Sequence, residues 1–375
     1  MLPKTFIMFV IVFCFSCHND ECELQLLVPR TVLVYMVAGN NLYKNAKEDI
    51  AEMLAVTTEI NGNLLVYLDA PDNSVDSVPK LIKIQNGKIQ ILKKYEQQNS
   101  ASREVLELVI NDVMTTFPTS EYGLVLWSHG TGWLPEGIFN SLKKKVNSVQ
   151  RTFGLDNDNE MEFIELSQAL PNKFEFILFD ACLMGNIEVL YQLRNKANYI
   201  IASPTETLVA GFPYTQTIPL LFQNEIDYSR VAETYVNYYE CQSKSVLKSA
   251  SLSVIQTVYL NILVDFIKQS INNKNITLSD SSQSQFYEVD KPILYFDFFY
   301  LLSRIVLDKS DRNKLNLIKS KLIVNYQHTD YFLDDLSLEN TSGLSVFVFP
   351  LYNESLLSVY KQTDWYIETG LLLNR

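Results

Sequence analysis

The sequence predicts an α/β protein whose mainly parallel sheet carries helices on both faces, and three observations lead there. Apolar runs at 31–38, 64–68, 122–127, 174–179 and 199–202 read as buried strands. Helix-period segments near 45–58, 103–117, 162–170 and 186–196 alternate with them. The composition is that of a globular chain: 375 residues, 47% hydrophobic and 20% charged, with material for one large or two modest domains. Alternation of this kind returns each strand parallel to the last and covers both sheet faces.

Taken in order, 80–84 and 88–92 flank Gln85-Asn86-Gly87 and read as an edge hairpin, with Asn-Gly supplying the turn. Between 137 and 159 the chain turns polar and reads as a structureless stretch, which inside a compact domain is usually functional or mobile. After Pro213 the pattern changes to helices at 216–222 and 228–242, a strand at 252–255 and a helix at 258–272. The Asn/Ser-rich segment 273–284 reads as a surface loop. Helices at 296–307 and 313–325 then precede a buried strand at 343–349. These signals divide the chain into a signal segment 1–16, a polar tether 17–29, a core 30–214 and a C-terminal elaboration 215–375 packed on that core.

The formal charge of −12 argues against a nucleic-acid partner, which needs a basic face, and suits attraction of cationic substrates. Lys4 followed by an apolar run over 6–15 and the small Ser16 reads as a signal peptide, too short for a permanent membrane span. Cys17 fits the position where a bacterial lipoprotein is cleaved and acylated; ordinary cleavage nearby, with Cys17 a bystander, is the other reading. The expected location is therefore the bacterial cell envelope, reached by export and held by a lipid anchor. Of the five cysteines, Cys14 leaves with the signal and Cys17 takes the lipid, so Cys22, Cys182 and Cys241 leave at least one thiol unpaired. Cys22 and Cys241 suit a disulfide, or equally a tether thiol and a buried apolar one. No spacing suggests structural zinc.

Two segments carry the chemistry, Leu124-Val125-Leu126-Trp127-Ser128-His129-Gly130 and Phe176-Ile177-Leu178-Phe179-Asp180-Ala181-Cys182. Each is an apolar strand ending in a reactive side chain, and in a parallel sheet such ends share one crevice. A cysteine attacks carbonyls as thiolate, so it needs an imidazole or a helix N-terminus nearby. His129 supplies the first and the helix starting near Asn186 is expected to supply the second. Gly130 and the amide of Cys182 are the candidates for an oxyanion hole. Singly, Cys182 reads as a small core residue and His129 as a turn residue; their joint placement favours the functional reading. His18, in the tether, and His328, in an irregular stretch at the surface, offer no rival.

These motifs resemble those of the clostripain-type cysteine peptidases, relatives of caspases, legumains and gingipains. The likeness extends through Ala202-Ser203-Pro204-Thr205-Glu206-Thr207, Gly211-Phe212-Pro213-Tyr214 and Gly343-Leu344-Ser345-Val346-Phe347, although Phe212 stands where tryptophan is common in relatives. It implies a caspase-like three-layer sandwich and a dyad of Cys182 as nucleophile and His129 as general acid and base. No cofactor is required for that chemistry. The resemblance also implies a pocket for a basic side chain on the acyl side of the cleaved bond, with Asp180 at its floor and Glu206 as a second acidic group. A desolvated carboxylate meeting arginine or lysine contributes on the order of 2 to 5 kcal/mol. The plainer readings are a turn-forming Asp180 and a solvated Glu206.

Self-processing, common among such relatives, suits Lys143, Lys144, Lys145 and Arg151 in the polar stretch, which otherwise form a solvated charge cluster. Asp156-Asn157-Asp158-Asn159-Glu160 is oxygen-rich, but it lacks the spacing of an EF-hand loop, so no metal site is assigned and calcium is left open. The expected function is an exported, lipid-anchored cysteine endopeptidase cutting peptides and proteins after Arg or Lys. The competing functions are a lipoprotein of the same fold that binds peptides without cutting them, and a thiol acyltransferase using the same dyad.

Overall fold

Nine strands, most of them flanked by helices, form the central sheet of the computed structural model, which describes residues 28–58, 60–143, 153–156, 159–171, 174–278, 284–350 and 353–375. Cys17, Cys22, Lys144, Lys145 and Arg151 lie outside the described residues, as do the whole signal segment and most of the tether. The first half supplies β1 (Arg30–Val37), β2 (Asn63–Asp69), β3 (Lys80–Gln85), β4 (Lys88–Lys94), β5 (Glu121–Trp127), β6 (Phe153–Asp156), β7 (Asn159–Met161), β8 (Phe174–Asp180) and β9 (Ala197–Ala202). Its helices are α1 (Tyr43–Val56), α2 (Arg103–Thr116), α3 (Ile138–Lys143), α4 (Phe163–Ala169) and α5 (Ile187–Gln192). The second half adds β10 (Ser251–Gln256), β11 (Asn275–Thr277), β12 (Tyr295–Asp297), β13 (Ile323–His328), β14 (Tyr331–Phe332), β15 (Leu336–Ser337), β16 (Ser345–Phe347) and β17 (Leu372–Asn374). Its helices are α6 (Tyr214–Leu221), α7 (Tyr228–Glu240), α8 (Val258–Ser270), α9 (Phe298–Ile305), α10 (Lys309–Leu322), α11 (Glu354–Tyr360) and α12 (Asp364–Thr369).

The sheet order is β13-β10-β9-β8-β5-β1-β2-β3-β4. Strands β9, β8, β5, β1 and β2 run parallel, and the outer ones are antiparallel. Side chains alternate between two apolar layers, as the strand period of two requires. Val32, Val34, Met36, Val125 and Leu178 pack toward α1, α6 and α7, whereas Leu33, Tyr35, Leu126, Ile177 and Phe179 pack toward α2, α4, α5 and the later helices. Because both faces are buried, these strands read as continuous apolar runs. The result is a three-layer sandwich with helices on both faces. At the far edge, Asn86 and Gly87 take φ of 52° and 67°, the geometry a two-residue hairpin turn requires.

The second half completes the same sandwich. β10 pairs with β9, placing Ser253 opposite Ala202, and β13 pairs with β10. Trp133, fully buried, meets Phe347 at 5.0 Å and Tyr360 at 4.9 Å, so the first half is keyed to C-terminal elements through aromatic edges.

Several expectations need correcting. The stretch 137–159 is structured at both ends by α3, β6 and β7. Part of 273–284 is β11, held parallel to β17. The segment 296–307 begins as β12 before becoming α9, because Tyr295, Phe296 and Asp297 pair with β16. The segment 313–325 is the end of α10 running into β13, so His328 lies on an edge strand, half-buried against Tyr326 at 4.9 Å. Cys241 is exposed at the end of α7, not buried.

Candidate active site

Strands β1, β5 and β8 are parallel neighbours in register, with Met36 opposite Trp127 and Trp127 opposite Asp180. The residues that follow them must therefore emerge side by side. Ser128 fixes the join: its hydroxyl donates to the Val37 carbonyl at 2.9 Å and accepts from Leu155 N–H at 3.2 Å, while its own N–H reaches the Asp180 carbonyl at 3.3 Å. The His129 carbonyl accepts from Gly154 N–H at 3.2 Å, which holds the histidine backbone between β5 and β6. Past β8, the N–H groups of Leu183 and Gly185 donate to Thr205 and Ser203, tying the cysteine turn to the loop after β9.

His129, Cys182 and Asp180 line one small cavity of about 50 Å³, together with Trp127 and Leu42 as apolar wall and with Thr207, Leu208, Val209 and Gly211. That volume has room for one or two waters and not for a peptide side chain. The sulfur of Cys182 accepts from Thr207 N–H at 3.2 Å and lies 3.5 Å from the Thr207 carbonyl. Burial pushes the thiol up to about 12, with Glu206 adding to the shift and the Thr207 N–H opposing it. The helix expected near Asn186 is α5, which begins at Ile187 with the Asn186 side chain accepting from Val189 N–H at 3.0 Å.

Asp180 is buried at the base of the cavity, accepting from Tyr214 Oη at 2.9 Å and Phe212 N–H at 3.2 Å. Gly211 admits it closely: at φ 58°, a Cβ there would stand 2.7 Å from Asp180 Oδ2. Behind it Asp49 accepts from the Trp127 indole N–H at 2.7 Å, and burial together with the Asp180 charge holds its carboxyl well above the usual range. Burial likewise raises Asp180.

Three of the residues singled out from sequence thus meet. Gly130 is buried beside them, where a Cβ would lie 2.5 Å from the Cys182 carbonyl. Glu206, half-exposed, acts on the thiol by its charge and is not part of the cavity wall. Lys143 is no part of a solvated charge cluster. Its ammonium is buried, ion-paired with Glu288 at 2.6 Å and donating to the carbonyls of Asp290 and Pro292 at 2.6 and 2.8 Å. Sequence reasoning missed Asp49, Thr207 and Asn41, whose Oδ1 lies 2.9 Å from His129 Nε2. Asn40-Asn41, polar and directly after an apolar strand in the same manner as His129, was the available signal for the last of these.

A thiol and an imidazole at adjacent strand ends of an α/β sandwich define a cysteine-hydrolase type of site. The clostripain family model matches residues 34–342, and the chain belongs to that family of cysteine peptidases. It is 28% identical over 221 residues to clostripain of Hathewaya histolytica, a stretch covering 49% of this chain and 40% of that protein. The fold is similar to an inactive zymogen C11 protease from Parabacteroides distasonis, with TM-score 0.76 and 30% identity over 92% of this chain and 98% of that one. It is equally similar to a secreted C11 cysteine protease from Bacteroides thetaiotaomicron in complex with an irreversible peptide inhibitor, with TM-score 0.77 and 30% identity over 91% and 99%.

Proposed function

We propose that this protein is an exported, lipid-anchored cysteine endopeptidase that cuts after Arg or Lys, with Cys182 as nucleophile and His129 as general acid and base. The observation that carries the reading is the convergence of His129, Cys182 and Asp180 on one cavity. In the proposed reaction the thiol proton passes to the imidazole and sulfur attacks the scissile carbonyl. The N–H groups of Gly130 and Cys182 receive the oxyanion, and the imidazolium then protonates the leaving amine. Asp180, already desolvated beneath the cavity, is the counter-charge for a basic side chain, and Glu206 adds to the negative field at its mouth. A cavity of about 50 Å³ is smaller than an arginine or lysine side chain, so on this reading its lining rearranges when substrate binds.

Self-processing belongs to the same reading. Lys143 is locked in its ion pair, which directs cutting to Lys144, Lys145 or Arg151. The apolar segment over 6–15 and a similar Bacteroides protease that is secreted support export, and Cys17 is the proposed point of attachment. No helix among the described residues is long and apolar enough to cross a membrane. Fluorogenic peptides ending in Arg or Lys are expected to be hydrolysed at least ~100-fold faster by the wild type than by Cys182→Ala or His129→Ala, the span general acid–base catalysis supplies. Equal rates in all three proteins exclude the assignment. An Asp180→Asn variant that cuts after Arg, Lys and norleucine with unchanged preference removes the specificity claim alone.

A further inference from the structure

We propose that Asn41 is a positioning residue for the histidine, fixing which imidazole nitrogen faces the thiol. The inference rests on the reading of Cys182 and His129 given above. Its observation is the 2.9 Å contact between Asn41 Oδ1 and His129 Nε2. An amide oxygen only accepts, so the contact requires the ring proton on Nε2 and leaves the lone pair on Nδ1, the other nitrogen.

The surrounding chain is built to hold Asn41 there. Asn40, one residue earlier, donates from Nδ2 to the carbonyls of Leu155 at 2.6 Å and Val37 at 3.1 Å, and its Oδ1 accepts from Leu42 N–H at 2.8 Å. The turn between β1 and α1 is thereby clamped on either side of Asn41. Leu155 is also the residue whose N–H binds Ser128, next to His129, so both members of the contact hang from the same short strand β6. Leu42 lines the cavity, which places this turn on the rim of the site by an observation separate from the hydrogen bond.

Chemically, the arrangement supplies what a neutral third group can supply. The thiol proton passes to Nδ1, while the Nε2 proton stays directed at Asn41 Oδ1 throughout. The amide dipole then stabilises the imidazolium without itself gaining or losing a proton. A hydrogen bond of this kind strengthens as its donor becomes charged.

The test compares wild type with Asn41→Ala, Asn41→Asp and Cys182→Ala, using fluorogenic basic peptides and isotope-labelled histidine. The chain has three histidines, so the His129 ring resonances are assignable by mutation. Asn41→Ala is expected to lower kcat about tenfold with KM nearly unchanged, the order of one hydrogen bond to a charged group, and to lose the Nε2–H tautomer signature. Asn41→Asp keeps the acceptor and adds charge, so it restores most of kcat and moves the imidazolium titration to higher pH. If Cys182→Ala still hydrolyses the peptides, the dyad reading falls and this inference with it. If Cys182→Ala is dead while Asn41→Ala keeps the wild-type tautomer and pH profile, whatever its kcat, the positioning role alone is overturned.

Discussion

At the scale of single residues, burial of charge is the dominant theme, and it gives the protein a pH dependence. Asp69 is fully buried at the end of β2 and faces Asp156: a Cβ on Gly39 would lie 2.9 Å from Asp69 Oδ2 and 2.5 Å from Asp156 Oδ1. Burial first, then the Asp156 charge, pushes Asp69 up to about 8. An unfolded aspartate titrates near ~3.9, so between that pH and about 8 the native chain holds a proton the unfolded chain has released. Stability contributed by this group is complete below the lower value and is lost as pH rises through the upper one. Asp69→Asn is expected to flatten that decline, with urea midpoints measured from pH 4 to pH 9 converging on wild type at the acid end and exceeding it at the alkaline end. Parallel curves for the two proteins would sink the argument. Tyr35 and Tyr67, stacked at 4.7 Å beside this pair, form part of the same low-dielectric pocket and are likewise raised by burial.

At the scale of elements, the sequence was most legible where pattern alone decides. Strands β1, β2, β5, β8 and β9 were read because two buried faces make an apolar run, and the 86–87 turn because positive φ at successive residues needs Asn-Gly. The site was half legible: Cys182 and His129 announce themselves at strand ends, but Thr207 touches the thiol through its backbone, which no side-chain pattern encodes. Strands β11, β12 and β13 were missed because each is short or abuts a helix, and their pairing is long-range. Lys143 belongs with these failures. Its place at the end of α3 looks like a surface charge until the segment around Glu288 folds over it, and Glu288 also accepts from the N–H groups of Leu294 and Tyr295 at 2.5 and 2.7 Å. The pair thus welds α3 to the segment entering β12. Lys143→Met leaves the carboxylate buried and uncompensated, at a cost of about 3 to 5 kcal/mol. Lys143→Met with Glu288→Gln removes the stranded charge, and its unfolding midpoint is expected above that of the single variant. A single variant as stable as wild type would show the ion pair to be dispensable.

At the scale of the whole molecule, the decisive fact is where the sheet is joined. In chain order the segment 144–152 falls between β5 and β8, the pair that runs through the middle of the sheet with Gly123 opposite Phe176 and Trp127 opposite Asp180. Every strand from β1 to β5 precedes that segment, and β8, β9, β10 and β13 follow it. The two parts share both apolar layers, since Leu33 and Trp365 belong to one and Met36 and Tyr235 to the other. A chain cut in 144–151 consequently severs none of the described strands or helices. After a cut the two fragments pay the association entropy of separate chains, on the order of 4 to 15 kcal/mol, which the burial of that many shared aliphatic and aromatic groups at ~25 cal/mol per Å² must exceed. His129 would sit on one fragment and Cys182 on the other, still held together by the strand pairing that positions them. Brief trypsin treatment of Cys182→Ala, chosen because the proposed reaction leaves it unable to cut itself, is therefore expected to give two bands on a denaturing gel and one unshifted peak in native size exclusion. Two peaks under native conditions would mean that the sheet depends on the covalent connection, and that the interface between β5 and β8 is far weaker than its buried surface requires.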